Sequence, residues 1–468
     1  MKNRALPRVV VAALSGGSGK SLVSMALLRA FREAGQNVAA FKKGPDYIDA
    51  AWLTWISAGP ARNLDTYLMG FDGAVASFAT HGADGLNVIE GNRGLFDGMD
   101  AAGTHSTAAL ARALCSPVLL VLNTTKMTRS AAALVLGAQK LEPELNIAGV
   151  ILNFVNGRRH EHVLRESITR ICGVPIVGVL PRMDPDDGLP ERHLGLVTPE
   201  DCPTKERIDH CLRDTVIPGL DLQSIARIAA SAAPLASPPE APVAGPDRSQ
   251  LKIAYIKDAA FSFYYPENLE ALERAGAQLV PISALTSREL PAGISALYIG
   301  GGFPEVHAPA LAGNTSFLRS LSEAARGGLP IYAECGGLML LSQAIIWHGE
   351  RHAMAGVLPV ETLVSTAAQG HGYVELSVDR PNPFFPVGLS LRGHEFHYSR
   401  IELNAANLDT ACEVRRGTGA WQRRDAIVTA NLWAAYTHLH ALATPEWATG
   451  LVSAARRYAA HAIAAARG

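Results

Sequence analysis

Short continuous apolar runs rich in Val, Ile and Leu recur through the first half of the chain, at residues 9–14, 38–41, 85–90, 118–122, 148–153 and 176–180, with helical spacing between them. A strand that is apolar without alternation is buried on both faces, and strands separated by helices pair in parallel. This half therefore predicts a parallel sheet covered by helices on both sides. The rhythm stops across residues 231–250, where Pro, Ala and Ser dominate and no hydrophobic period survives, a composition that predicts a linker. It restarts at 251–256, 278–281, 296–299 and 331–333, then loosens into segments at 372–378 and 390–398 that suit antiparallel pairing. The pattern predicts two α/β domains, residues 1–230 and 251–468, joined by 231–250.

At 468 residues the chain exceeds the size at which a single core keeps growing, which agrees with two domains. Its 42 Lys and Arg nearly cancel 43 Asp and Glu, a formal charge of -1. That balance argues against nucleic acid or a membrane surface as partner, so an anionic ligand must be held by a local site. No apolar run approaches the roughly 18 residues of a membrane span, and the first residues lead into a strand without a signal-like stretch, so a cytoplasmic protein is expected. The six cysteines (115, 172, 202, 211, 335 and 412) are scattered, without CxxC pairs or histidines at ligand spacing. Neither a disulfide framework nor a structural zinc is indicated.

The first apolar run opens into Ser15-Gly16-Gly17-Ser18-Gly19-Lys20-Ser21, and a helical pattern begins near Lys20. This arrangement suits ATP: the glycines let successive backbone N–H groups wrap phosphate oxygens, Lys20 reaches the β- and γ-phosphates, and the Ser21 hydroxyl can ligate Mg2+. Leu14 stands where the strict spacing wants glycine, so the loop is a variant. A tight turn with an incidental lysine is the plainer alternative, but Gly-Lys-Ser at the first strand-to-helix junction of a parallel pattern favours phosphate binding.

Acidic loops follow the second and third runs. One is Gly44-Pro45-Asp46-Tyr47-Ile48-Asp49, and the other is Glu90-Gly91-Asn92-Arg93-Gly94-Leu95-Phe96-Asp97-Gly98. Loops at the carboxyl ends of neighbouring parallel strands converge on one crevice, so Asp46, Asp49, Glu90 and Asp97 are candidates for Mg2+ binding and for orienting a phosphoryl acceptor. Singly, each Asp could equally cap a turn or helix.

In the second half, Ile331-Tyr332-Ala333-Glu334-Cys335-Gly336-Gly337 reads as a strand that breaks at a glycine pair and continues as a helix. Such a turn exposes a nucleophile, and a helix N-terminus behind it is expected to lower the thiol pKa. Upstream, Gly301 and Gly302, together with Gly336, can aim backbone N–H groups at an oxyanion. The candidate base is His438, in Tyr436-Thr437-His438-Leu439-His440, since Cys and His partners are commonly distant in sequence. The alternative for Cys335 is a buried, inert residue.

Taken together, the P-loop, the two acidic loops, Ala333-Glu334-Cys335-Gly336-Gly337, Gly393-His394-Glu395-Phe396-His397-Tyr398-Ser399 and the His438 segment resemble the cobyrinate a,c-diamide synthases over nearly the whole chain. The resemblance implies a dethiobiotin-synthetase-like P-loop domain joined to a class I glutamine amidotransferase-like domain. It implies Cys335 as glutaminase nucleophile with His438 as base. It places Asp46, Tyr47, Ile48, Asp49, Glu90 and Asp97 in the substrate and Mg2+ site, with Ser21, Asp46 and Glu90 as metal ligands and Ile48 influencing how carboxylates are handled. The implied partners are glutamine, ATP and a tetrapyrrole carboxylate held between the domains, with a protected path for ammonia and with a homodimer left open.

Two departures stand out. Class I amidotransferases carry Glu two residues after the base, whereas His440 is there, which leaves the third group of the site open. Asn92-Arg93 also interrupts the second acidic loop. The nearest alternative is Ni-sirohydrochlorin a,c-diamide synthase of coenzyme F430 biosynthesis. An alternative of another class is a P-loop regulatory ATPase with an interaction module. His394 and His397 are expected to shape the glutaminase cleft rather than bind metal.

Overall fold

The computed structural model describes residues 3–183, 191–192, 195–236, 251–403 and 408–465, so most of the predicted linker, residues 237–250, lies outside the described residues. The chain divides into two compact units, Met1–Glu240 and Ala241–Gly468.

In the first unit, β1 (Arg8–Ala13), α1 (Lys20–Glu33), β2 (Val38–Lys43), α2 (Tyr47–Ser57), β3 (Arg62–Leu64), α3 (Gly70–His81) and β4 (Leu86–Glu90) are followed by α4 (Thr107–Ala113), β5 (Val118–Asn123), α5 (Ser130–Leu141), β6 (Ile147–Val155), α6 (Gly157–Cys172) and β7 (Ile176–Pro181). The strands form a seven-stranded sheet in the order β3-β2-β4-β1-β5-β6-β7. All its pairings are parallel. Every residue of β1 is buried because both faces are covered. Val9, Val11 and Ala13 join a core with Leu27 and Trp52, while Val10 and Ala12 join one with Phe78, Leu110 and Val135. Each buried Val, Leu or Phe side chain among them contributes about 1.5–3 kcal/mol. β3 has no apolar signature. It forms at the edge because Asn63 Nδ2 donates to the Gly44 and Asp46 carbonyls at 2.7 and 2.9 Å.

The second unit contains β8 (Lys252–Ile256), α7 (Pro266–Arg274), β9 (Gln278–Ile282), β10 (Ile294–Ile299), α8 (Thr315–Arg326), β11 (Ile331–Glu334) and α9 (Gly336–Leu341). Beyond these come β12 (Gly370–Val378), β13 (Ser390–His397), β14 (Thr410–Arg416), β15 (Arg424–Thr429), β16 (Leu432–Ala435), β17 (His438–Leu439) and α10 (Glu446–Ala465). They build a ten-stranded sheet in the order β9-β8-β10-β11-β16-β15-β14-β12-β13-β17. It is parallel from β9 to β16. From β16 onward it is antiparallel. This mixed sheet brings β11, which ends at the candidate nucleophile, into the same layer as β17, which begins at the candidate base. No described helix is long and apolar enough to cross a membrane.

Candidate active sites

The P-loop connects β1 to α1. Gly17 and Gly19 lie in the left-handed region, at φ 67° and 95°. A Cβ on Gly19 would stand 2.3 Å from Asn153 Nδ2, which itself donates to the Ser18 carbonyl at 2.9 Å. Lys20 Nζ folds along the loop and donates to the Ser15 and Arg93 carbonyls at 3.2 and 2.9 Å. A phosphate oxygen is a stronger acceptor than either carbonyl and can take over both bonds. Burial, then the nearby Lys42 ammonium, lower the Lys20 pKa.

Beside the loop, Glu90 at the end of β4 accepts from Ser21 Oγ at 2.8 Å and from Lys42 Nζ at 2.9 Å, both on Oε1. Its Oε2 is buried without a hydrogen-bond partner. Lys42 also pairs with Asp49. Burial pulls the Lys42 ammonium down, but Asp49 and Glu90 outweigh it and hold the group above its ordinary range. Asp46 caps α2, its Oδ1 accepting from the Ile48 and Asp49 N–H groups at 2.9 Å. Burial, then the Asp49 charge, push its carboxyl up to about 6. Tyr47 opens α2, and Ile48 packs against the core that holds α1.

Ser21, Asp46, Asp49 and Glu90 therefore form one cluster around Lys42. Asp97 is exposed and closes its own loop, accepting from the Gly94 N–H at 3.0 Å, while its charge still reaches Lys20. If Asp97 serves the acceptor, Asp97→Asn is expected to slow ammonium-driven amidation roughly tenfold, about 1.4 kcal/mol of transition-state stabilisation. Glutaminase activity and melting temperature should stay unchanged. Normal amidation, or a lowered melting temperature as the sole defect, would assign Asp97 to loop closure.

Cys335 lies between β11 and α9 at φ 48°, ψ −100°. Such a conformation costs about 1–3 kcal/mol in a non-glycine residue. Neighbouring bonds hold it there: the Cys335 N–H donates to the Ala435 carbonyl at 2.7 Å, and the Met339 N–H donates to the Cys335 carbonyl at 3.2 Å. The predicted lowering of the thiol pKa is not found. Burial, then the Glu305 carboxylate, push it well above its ordinary range, against a bond from the Gly336 N–H. α9 has only six residues and aligns few peptide dipoles, so desolvation wins. A thiol held protonated needs a base at the moment of attack.

The glycines approach one another and the candidate base. A Cβ on Gly336 would lie 3.1 Å from the Gly302 N, which brings those two backbone segments together. A Cβ on Gly301 would lie 2.5 Å from His438 Cε1 and 3.3 Å from its Nε2. His438, the candidate base, thus faces the glycine loop closely enough to forbid a side chain there. His438 is 2% exposed. Asp425 fixes the approach to it by accepting from the Tyr436 and Thr437 N–H groups, both at 3.1 Å, and from Thr437 Oγ1 at 2.6 Å.

Residues 9–197 match the CobQ/CobB/MinD/ParA nucleotide binding domain family, and residues 252–446 match the CobB/CobQ-like glutamine amidotransferase domain family. A cobyrinate a,c-diamide synthase of Magnetococcus marinus is 41% identical over 452 residues, covering 95% of this chain and 96% of the relative. Those of Methanosarcina acetivorans and Syntrophotalea carbinolica are 38% and 39% identical, covering 97% and 96% of this chain and 96% and 99% of the relatives. The chain belongs to the cobyrinate a,c-diamide synthase family.

Within this family member, several residues at the two sites carry no local sequence signal. Lys42 joins two acidic loops, and its one hint was a pair of lysines ending an apolar strand. Asn153 braces the P-loop from β6. Glu334 lies 3.4 Å from His438 Nδ1 through its Oε2. The histidines predicted to shape the cleft are buried there. His394 stacks on His438 with ring centroids 5.0 Å apart, and His397 stacks on Tyr436 at 3.8 Å. Burial, then His438, hold the His394 pKa well below its ordinary value, so it presents a neutral ring to the base.

Proposed function

We propose that this chain uses ATP and glutamine to amidate the a- and c-acetate carboxylates of cobyrinic acid, or of hydrogenobyrinic acid, in cobalamin biosynthesis. The observation that carries this reading is 41% identity across nearly the full length of a cobyrinate a,c-diamide synthase. The relatives named above are all cobyrinate synthases, which favours a corrinoid over Ni-sirohydrochlorin as substrate. The amidotransferase match over residues 252–446 disfavours a regulatory ATPase.

In the second unit, Cys335 Sγ attacks the glutamine carboxamide carbon as its proton passes to His438. Backbone N–H groups of Gly302 and Gly336, with Gly301 alongside, hold the developing oxyanion, and His438 returns the proton to the departing ammonia. Water then releases glutamate from the thioester. In the first unit, the P-loop N–H groups and Lys20 hold ATP so that a substrate carboxylate attacks the γ-phosphorus and ADP leaves. Ammonia displaces phosphate from the acyl phosphate, forming the amide, and a second cycle amidates the other acetate.

Mg2+ fits the first unit. Ser21 Oγ and Glu90 meet at 2.8 Å, and Glu90 Oε2 is a buried acceptor without a hydrogen-bond partner. Among the described residues no three His, Cys, Asp or Glu side chains form a metal cage, which agrees with an ion that takes one or two protein oxygens and completes its shell with phosphates and water. Bound there with Asp46 nearby, Mg2+ would neutralise phosphate charge.

Cobyrinic acid labelled with ¹⁸O in its carboxylates tests the acyl phosphate. Label should appear in the inorganic phosphate released during ammonium-driven amidation, and unlabelled phosphate would refute the step.

Gly301→Ala should reduce glutaminase activity roughly a hundredfold, the usual cost of an ångström-scale misplacement, because its Cβ displaces the His438 ring. Ammonium-driven amidation measured on the same sample should not change.

A further inference from the structure

The third member of the glutaminase site is not at the position two residues beyond the base. His440 stands there, and its ring is otherwise engaged. Its Nδ1 accepts from the Leu442 N–H at 3.1 Å, its Nε2 lies 3.7 Å from Glu267 Oε2, and it packs on Tyr265 with centroids 4.5 Å apart. This is a separate buried pair, one element away from the nucleophile.

Glu334 has the geometry that His440 lacks. It ends β11, immediately before Cys335, and is fully buried. Its Oε1 accepts from Tyr332 Oη at 3.1 Å and from the Leu439 N–H at 3.1 Å. Its Oε2 accepts from Tyr298 Oη at 3.2 Å and faces His438 Nδ1 at 3.4 Å. An ionised carboxylate offers about four acceptor directions; the three donors take three of them, which leaves one for His438 Nδ1, 3.4 Å away and outside hydrogen-bond geometry. Burial, then the Glu334 charge, hold both tyrosines well above their ordinary pKa, so their hydroxyls stay protonated as donors. The residue after the base is tied to the same carboxylate and also to Asn268, whose Nδ2 donates to the Leu439 carbonyl at 2.8 Å.

We propose that Glu334 is the positioning residue for His438: it holds the Nδ1 proton, so that the Nε2 lone pair, on the side facing Gly301, takes the Cys335 proton. Resting on the amidotransferase reading above, this makes the strand end before the nucleophile supply both the attacking thiol and the anchor of its base. One backbone element thereby fixes the relative placement of thiol and imidazole. The imidazolium formed during attack would also be stabilised by a buried anion.

The test compares Glu334→Gln, Glu334→Asp and Glu267→Gln with the wild-type full-length chain. Glu334→Gln should lower glutaminase kcat by roughly tenfold to a hundredfold, somewhat less than the loss typical for a triad carboxylate, with KM for glutamine within about threefold. Loss of the carboxylate removes a charge that favours the imidazolium, so the acid limb of kcat/KM should move to lower pH. Glu334→Asp keeps the charge and should restore part of kcat and return the acid limb toward wild type. Glu267→Gln should leave both unchanged, and ammonium-driven amidation should be preserved in all. If Glu334→Gln folds poorly, the pH dependence of Cys335 alkylation in Glu334→Asp still reads the coupling. Unchanged kcat and pH profile in Glu334→Gln would overturn the assignment, as would a shifted limb in Glu267→Gln alone. A wild-type chain without glutaminase activity would overturn the functional reading itself.

Discussion

Replacing Cys335 by alanine is expected to abolish glutamine-driven amidation, by at least about a thousandfold, as removal of a covalent nucleophile does elsewhere. Amidation driven by high ammonium should continue at close to the wild-type rate. The asymmetry follows from the separation of the two chemistries. Among the described residues, Cys335 bonds to Ala435 and Met339, both in the second unit, and the groups assigned to phosphoryl transfer lie in the first. Steady-state rates with each nitrogen source, measured on one preparation with its melting curve, give the answer. Loss of both activities in a folded variant would contradict two independent sites. Serine in place of the thiol should behave like alanine, because an alkoxide is harder to form than a thiolate.

Lys20→Ala should remove amidation from either nitrogen source, by roughly a hundredfold or more, the scale seen when a single preorganised charge-stabilising contact is lost. Lys20 donates to the Ser15 and Arg93 carbonyls, so its removal breaks two hydrogen bonds in the loop. The larger effect is the loss of a fixed cation beside the β- and γ-phosphates. Glutaminase activity should persist, which separates this variant from Cys335→Ala. Wild-type amidation at subsaturating ATP would remove the P-loop from the mechanism.

The features legible in the sequence are those encoded within about ten consecutive residues. Gly19-Lys20-Ser21 after an apolar strand, and Cys335-Gly336 between a strand and a helix, are local, and the turns form where the glycines demand. The parallel strands were visible because burial on both faces leaves unbroken apolar runs. β3 was not, since its Arg62 and Asn63 are buried by side-chain bonds instead of by hydrophobicity. Strands β14 to β16 carry no such signal, since the antiparallel register among them is fixed only by their partners.

Relations across long separations were hidden for the same reason. Lys42 meets Glu90, and Glu334 meets His438, only after the sheets form. The sign of the Cys335 shift reversed because a short helix offers little dipole, whereas tertiary packing buries the thiol. The same packing pushes the Asp46 carboxyl up to about 6, which a turn-forming motif could not reveal.

The central claim is that this chain puts two amides on a corrinoid. Purified enzyme supplied with glutamine, ATP and Mg2+ should be offered cobyrinic acid and Ni-sirohydrochlorin in parallel, and the products identified by mass spectrometry. A two-amide product from cobyrinic acid, absent when ATP is omitted, is the expected result. Two amides formed on Ni-sirohydrochlorin alone, or on neither macrocycle by an enzyme that still hydrolyses glutamine, would contradict the account.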